Sequence, residues 1–269
     1  MKDREELIRL LEYIHSYYGY DLTEYSEASV KRCIGHFMNV NRIGSVGELG
    51  RILKEGAEFE KFIQEVTVTV TEMFRDTTFY RSLRERVIAR LATYPFIKIW
   101  IAGSSTGEEA YSVAILLKEA GLLERSVIYV TDINRKALQA AENGIYPVGK
   151  MRSYAENYIK AGGQQDFSGY YKVLYDSVIM DSDLKHNMVF SVHNLAVDRS
   201  FNEFQLILCR NVLIYFNRCL QDKVIDLFYD SLCPFGFLAL GNKESLLFSG
   251  KEKKFGEIDR KEKIFIKAE

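Results

Sequence analysis

Two hydrophobic periodicities divide the chain and predict its elements. In residues 1–66 apolar side chains recur every three or four positions, as at Leu7, Leu11 and Ile14, which is the spacing of amphipathic helices. From residue 97 onward, short apolar runs of strand length alternate with helical patterns. That alternation is typical of an α/β sheet whose strands are buried on both faces. We therefore expect a small all-helical domain at residues 1–66 and an α/β domain at residues 67–269.

The α/β part contains a series of core runs and a closing hairpin. The predicted core strands are Ile97–Ala102, 127–130, 188–193, Phe204–Cys209 and 237–241. The tail predicts two further strands, at 255–258 and 264–266, one of them antiparallel to the rest. Residues 145–187 break this pattern with glycine and tyrosine pairs, and we expect them to form an inserted small antiparallel β-lobe.

Residues 97–132 carry the strongest chemical signal, because they read as strand, glycine turn, helix and second strand. The turn Gly-Ser-Ser-Thr-Gly lets a ligand approach the backbone, and Asp132 at the second strand end can accept hydrogen bonds from both hydroxyls of a ribose. Thr106 and Glu109 fit a capping box, which leaves Glu108 to face a ligand. The turn is not G-x-G-x-x-G and lacks the P-loop lysine, so its acidic residues favour a cationic ligand such as S-adenosylmethionine. An ordinary α/β turn with two surface glutamates is the alternative.

The segment before the first core strand alternates threonine with valine and ends in Arg75. The alternation predicts an extended segment with its threonines on one side, followed by a helix that Asp76 caps. Thr69, Thr71 and Arg75 would then present two hydroxyls and a guanidinium to a ligand. An edge strand with a surface arginine is an equally open interpretation.

A second polar group follows the fourth core strand. Arg210 and Asn211 come directly after Phe204–Cys209 and precede an aromatic pair that begins with Tyr215. Ligands of open α/β sheets lie beyond the carboxyl ends of the strands, so this position predicts a binding role. His193, at the end of the third strand, is more typical of a structural residue than of a base.

Composition narrows the class of protein. A formal net charge of −1 gives no support for nucleic-acid binding, which needs a basic face. Four scattered cysteines without a C-x-x-C pair indicate reduced, mostly buried thiols, and no apolar run has membrane-spanning length, so we expect a cytoplasmic protein. The four histidines form no metal-ligand pattern, so we expect no metal.

Five motifs, in order and spacing, resemble the CheR family of chemotaxis-type protein-glutamate methyltransferases. They read TEMFRD, STGEEAYS, TDIN, HNL and CRNVLIYF. The resemblance covers nearly the whole chain, including the helical N-terminal region. It implies a class I methyltransferase (Rossmann-like) fold with a seven-stranded sheet and an antiparallel last strand.

The resemblance also implies S-adenosylmethionine as cofactor and S-adenosylhomocysteine as product. The implied cofactor-binding residues are Thr69, Thr71, Arg75, Glu108, Asp132, Asn194, Leu195, Arg210 and Asn211. Tyr215 would face the methyl acceptor, and we expect Tyr215 and Arg75 to be the catalytic pair. The chain departs from the family where Thr69 replaces asparagine, Ala110 replaces proline, and Asn242 and Lys243 replace a histidine-serine pair.

The function that these features imply is methyl transfer to glutamate side chains of a chemoreceptor-like signalling protein by a monomer without membrane insertion. In some family members the β-lobe binds a peptide tether of the receptor. Two alternatives stay open at this point. In the first, the chain methylates another protein or a small molecule. In the second, the chain is a non-catalytic module that binds the cofactor as a signal.

Overall fold

The computed structural model describes residues 2–54, 57–66, 71–247 and 249–268. By backbone contacts the chain separates into two compact units. The first comprises the described residues of 1–68 with Leu195–Asp198 and Tyr215–Val224, and the second comprises the described remainder. The domain boundary between residues 66 and 67 stays our proposal.

Helices build the first unit up to residue 66. They are α1 (Lys2–Tyr18), α2 (Glu27–Val40), α3 (Val46–Leu53) and α4 (Ala57–Val66). Two of them begin at serines, because the side chains of Ser26 and Ser45 accept hydrogen bonds from backbone N–H groups of the first turn. Their apolar stripes meet in one core that contains the fully buried Ile14, Leu49 and Phe62.

A seven-stranded sheet forms the centre of the second unit. Its strands are β1 (Ile97–Ala102), β2 (Ser126–Asp132), β6 (Met188–Val192), β7 (Phe204–Cys209), β8 (Leu232–Leu240), β9 (Phe255–Asp259) and β10 (Ile264–Lys267). The spatial order is β6-β2-β1-β7-β8-β10-β9, and only β10 of these strands runs antiparallel to both of its neighbours. The predicted fold class is therefore confirmed, with β8 starting five residues earlier than the predicted strand at 237–241.

Helical segments connect the strands of this unit. They are α5 (Thr77–Ser82), a π-helical turn (Leu83–Ile88), α6 (Ala89–Leu91), α7 (Glu108–Glu119), α8 (Arg135–Asn143), α9 (Met151–Lys160), α10 (Ser182–Lys185) and α11 (Arg218–Ser231). Helix α8 has a local signal at each end: the Asn134 side chain accepts the N–H of Ala137, and Gly144 ends the helix with φ 65°. None of the helices in the described ranges is long and apolar enough to span a membrane.

The inserted lobe is a three-stranded antiparallel sheet, as predicted. Its strands are β3 (Ile145–Pro147), β4 (Tyr171–Leu174) and β5 (Ser177–Met180), with β5 in the middle. Helix α9 lies between β3 and β4 in sequence, and its buried Tyr154 and Tyr158 belong to the same core as the main sheet.

Three local predictions were wrong. Described residues 71–75 form no strand, and the rest of the predicted extended segment, with Thr69, lies outside the described residues. Asp76 occupies the N-cap position of α5, but its side chain makes no capping hydrogen bond. All four cysteines are free thiols, but only Cys209 and Cys233 are buried.

Candidate cofactor site

The turn between β1 and α7 leaves no room for a side chain at either of its two glycines. Gly103 and Gly107 have φ of 76° and 91°, which L side chains rarely adopt. A Cβ atom on Gly103 would lie 2.5 Å from Val212 Cγ2, and one on Gly107 would lie 2.6 Å from Ala141 Cβ. Both positions therefore require glycine, for conformation and for space.

Asp132 ends β2 next to this turn, as predicted for a ribose ligand. Its Oδ2 accepts the backbone N–H of Ser105 at 2.7 Å, and its Oδ1 accepts that of Asn134 at 2.8 Å. Burial raises the pKa of this carboxyl, and backbone N–H groups offset only part of the rise. Asp132 is nevertheless partly exposed as a residue. The two N–H groups orient its oxygens and leave capacity for further donors.

Two serines in the turn were not recognised from the sequence, where they looked like small turn residues. The hydroxyl oxygens of Ser104 and Ser105 are buried, and neither has a hydrogen-bond partner in the described part of the chain. Buried hydroxyls in native proteins nearly always have a partner, so unpartnered ones indicate a polar ligand or water. They lie one and two residues after Gly103, beside the backbone N–H that holds Asp132.

The two glutamates that open α7 have different partners. Glu108 is fully buried: its Oε2 accepts the Thr106 hydroxyl at 2.6 Å, and its Oε1 lies 3.1 Å from the Tyr154 hydroxyl and 3.6 Å from Lys150 Nζ. The N-cap position is Gly107, so the predicted capping box of Thr106 and Glu109 is wrong. Glu108 as a cofactor ligand stays a prediction. In the structure its carboxylate contacts Tyr154 on α9, Lys150 just before α9, and Thr106 before α7.

Arg210, directly after β7, forms ion pairs with two carboxylates. Its Nη2 lies 2.7 Å from Asp76 Oδ2 and its Nη1 lies 3.0 Å from Glu109 Oε1. The guanidinium lies over the Phe79 ring, 3.8 Å from its centre. Burial alone would lower the pKa of Arg210, but the nearby negative charges, Glu109 first, outweigh it and raise the pKa. Direct binding of the cofactor by this guanidinium stays a prediction.

The segment that presents Arg75 is strained on both sides. Phe74 and Asp76 are non-glycine residues with φ of 54° and 59°, a conformation that persists only where the surroundings impose it. The fully buried Phe74 donates its N–H to the Ser112 hydroxyl on α7 at 3.0 Å. Thr71 and Arg75 are partly exposed, as expected for residues that face a ligand.

The turn after β7 is built around a carboxylate that the sequence analysis did not assign. Glu244 accepts the backbone N–H groups of Val212 and Leu213 through Oε1, both at 2.8 Å, and those of Asn211 (3.1 Å) and Gly241 (2.5 Å) through Oε2. Asn211 has φ 62°, so this anion fixes the residue predicted to meet the cofactor. Only its place three residues after a strand-ending glycine could have indicated Glu244.

Asn194 follows β6, the strand that pairs with β2, and is partly exposed. The preceding His193 donates its N–H to Asp132 O at 3.2 Å, and its ring packs edge-on against Trp100. Leu195 and Tyr215 belong to the first unit. There the Tyr215 carbonyl accepts the N–H of Ser26 at 2.9 Å, and Arg32 lies 5.9 Å from the centre of the Tyr215 ring.

Comparisons with known proteins identify the family. Residues 69–264 match the family described as CheR methyltransferase, SAM binding domain, and residues 5–67 match its all-alpha domain. A Pseudomonas putida protein with the provisional name methyltransferase Cher3 is 48% identical over 264 residues, which is 98% of this chain and 97% of that protein.

Two further relatives are named chemotaxis protein methyltransferase. The one from Listeria innocua is 31% identical over 85% of this chain and 86% of its own length. The one from Salmonella typhimurium is 30% identical over 81% and 77%. The chain belongs to the CheR family and is an S-adenosylmethionine-dependent methyltransferase.

Proposed function

We propose that the protein transfers a methyl group from S-adenosylmethionine to glutamate side chains of a chemoreceptor-like signalling protein, in the cytoplasm and as a monomer. The products are a glutamate methyl ester and S-adenosylhomocysteine. The observation that carries the proposal is Asp132, oriented by two backbone N–H groups yet partly exposed, beside two buried hydroxyls without a partner among the described residues. The relatives named chemotaxis protein methyltransferase support the choice of acceptor.

The chemistry of this donor set fits the cofactor. Asp132 would accept the ribose hydroxyls, and the hydroxyls of Ser104 and Ser105 would gain a polar partner. Acidic side chains at the start of α7 suit a ligand with a sulfonium and an ammonium group and would repel a pyrophosphate. We assign Asn194 and Leu195 to binding of the adenine. Asn211 lies at the same edge of the sheet, and we assign it to the cofactor as well.

When bound, S-adenosylmethionine supplies an electrophilic methyl group for an in-line displacement. A glutamate carboxylate, with a pKa of about 4.3 in solution, is already ionised at neutral pH, so the protein needs no strong general base. Its residues have to hold the carboxylate in line at about 3 Å, an effect worth up to roughly 7–11 kcal/mol. We assign this positioning to the Tyr215 hydroxyl, with Arg75 balancing the negative charge of the acceptor.

The test is transfer of label from S-adenosyl-[methyl-³H]methionine to a purified cytoplasmic fragment of a chemoreceptor. We expect label that mild alkali releases as methanol, because carboxyl methyl esters hydrolyse under those conditions. A fragment with its candidate glutamates changed to glutamine is the control and should take up none. We expect Tyr215→Phe to lower turnover at least roughly tenfold without changing the affinity for S-adenosylhomocysteine. Turnover equal to that of the parent would remove the role of Tyr215.

The same assay separates the two alternatives. Alkali-stable label, or label on a different acceptor, would indicate a methyltransferase with another substrate. Tight binding of S-adenosylhomocysteine without turnover on any acceptor would indicate a signalling module that binds the cofactor.

A further inference from the structure

We infer that Arg210 is a positioning residue rather than a ligand of the cofactor. It joins the two segments that carry Arg75 and Glu108, whose charges suit the carboxylate and the ammonium group of the cofactor's methionine end. This inference rests on the proposed function, since it concerns how the same site is assembled. Its basis is the geometry of one guanidinium that bridges Asp76 and Glu109.

The two bridged residues each stand next to a residue that we assign to the ligand. Asp76 follows Arg75, and Glu109 follows Glu108. The segments are far apart in sequence: 134 residues separate Arg210 from Asp76, and 101 separate it from Glu109. A single side chain at the end of β7 therefore fixes both the turn before α5 and the first turn of α7.

The backbone around Arg75 shows why such a tie is needed. Phe74 and Asp76 both have left-handed φ values, so the segment does not hold this shape by its own preference. On one side the buried Phe74 ring and its N–H bond to Ser112 fix it, and on the other side the Asp76 carboxylate bonds to Arg210. Without the second contact, the backbone at Arg75 would lose one of these two anchors.

Both terminal nitrogens of the guanidinium are engaged, while its buried Nε has no hydrogen-bond partner among the described residues. Two of its nitrogens contact carboxylates, its face covers the Phe79 ring, and its residue is only 6% exposed. A planar fork can serve two carboxylates at once, whereas a lysine ammonium cannot reproduce that geometry. Arg210→Lys therefore keeps the charge and removes the bridge.

Calorimetric binding of two probes tests the inference on the full chain. S-Adenosylhomocysteine contains the amino-acid end, and 5′-methylthioadenosine lacks it. We expect Arg210→Lys to weaken S-adenosylhomocysteine binding by roughly tenfold or more, as for other coupled networks, and to leave methylthioadenosine binding within twofold. Equal weakening of both probes, or of neither, would overturn the inference.

Asp76→Asn distinguishes positioning from direct contact. If Arg210 acts through Asp76, this variant shows the same selective loss, and the double variant Asp76→Asn/Arg210→Lys is little worse than either single one. If Arg210 binds the cofactor itself, Asp76→Asn leaves the affinity unchanged or adds to the loss, and the inference fails. Because Asp76 is more exposed than Arg210, this variant also keeps the test valid if Arg210→Lys does not fold.

A matched control exists at the other end of α7. Arg84 pairs with the buried Glu119, the last residue of α7, at 2.5 Å. Arg84→Lys makes the same chemical change in a comparably buried ion pair, and we expect it to lower thermal stability without changing either probe's affinity. A wild-type chain that binds no S-adenosylhomocysteine would refute the proposed function instead, which keeps the two failures distinguishable.

Discussion

Asp132 and Glu244 are two carboxylates at the same edge of one sheet, and they are used in opposite ways. Asp132 accepts two backbone N–H groups and is partly exposed. Glu244 accepts four backbone N–H groups and is 4% exposed. A carboxylate offers about four lone-pair sites, so Glu244 is saturated by its own chain and Asp132 is not.

The difference distinguishes residues that can bind a ligand from residues that stabilise the backbone of the site. A carboxylate with remaining capacity at a strand end can accept the hydroxyls of a ligand, whereas a saturated one can only hold the backbone around it. The acidic character of a position therefore does not identify a ligand-binding residue. The number of hydrogen bonds that a carboxylate already accepts from its own chain does. Three variants and a pH titration test the distinction.

The largest expected effect comes from Asp132→Ala. It removes two charge-assisted hydrogen bonds to the ribose, each worth roughly 1.5–3 kcal/mol, so S-adenosylhomocysteine should bind at least roughly 100-fold more weakly. Titration calorimetry measures the affinity, and circular dichroism checks that the fold remains. An affinity within threefold of the wild type would show that Asp132 does not bind the nucleoside.

Glu244→Gln should do the reverse, with a large effect on stability and a small one on affinity. The glutamine amide accepts hydrogen bonds only through its oxygen. Its NH₂ group would face backbone N–H groups that Glu244 now accepts. We expect the free energy of unfolding to fall by about 2–4 kcal/mol in urea denaturation. The exposed Glu257 on β9 provides the control, because Glu257→Gln should change that free energy by no more than about 0.5 kcal/mol. A loss of affinity without a loss of stability would assign Glu244 to the ligand.

This pair also shows which parts of the site the sequence can predict. The glycine turn and Asp132 have a local signature, because a strand, a turn and the next strand end place them together within about 30 residues. The partners of Glu244 lie up to 33 residues earlier, and those of Arg210 lie more than 100 residues away. No local pattern encodes such contacts, so neither the role of Glu244 nor the ion pairs of Arg210 could be predicted.

The same reasoning explains the errors at Asp76 and Glu109. Local propensity favours both as helix caps, since each stands where a short acidic side chain can accept N–H groups. A buried guanidinium competes for the same carboxylates and forms ion pairs with both. The sheet, by contrast, follows from local hydrophobic runs, and all five predicted core strands are present.

Gly241→Ala sharpens the comparison with a smaller change beside Glu244. A Cβ atom there would lie 2.8 Å from Asn211 N and 2.8 Å from Glu244 Oε2, so the carboxylate or the turn has to move. Overpacking of this kind costs about 1–3 kcal/mol, which thermal unfolding can measure. Gly169→Ala is the matched control, because no atom lies within 4 Å of the added Cβ. Equal melting temperatures for the two variants would contradict the tight packing of this turn.

The smallest effect concerns pH. Burial raises the pKa of Asp132 above its ordinary value of 3.8, so in the free protein this carboxyl takes up a proton earlier than other aspartates as the pH falls. Ionised Asp132 therefore costs stability at neutral pH, and the cost disappears as the pH drops through the raised pKa. Ribose hydroxyls donate more strongly to the ionised form, in which both carboxylate oxygens accept. The affinity for S-adenosylhomocysteine should thus be constant near neutrality and fall with decreasing pH while the chain is still folded, by at most tenfold per pH unit.

Calorimetry across that pH range measures the affinity. Asp132→Asn is a weaker-binding control whose affinity should not follow this titration. A parallel fall in the control would assign the pH dependence to another group.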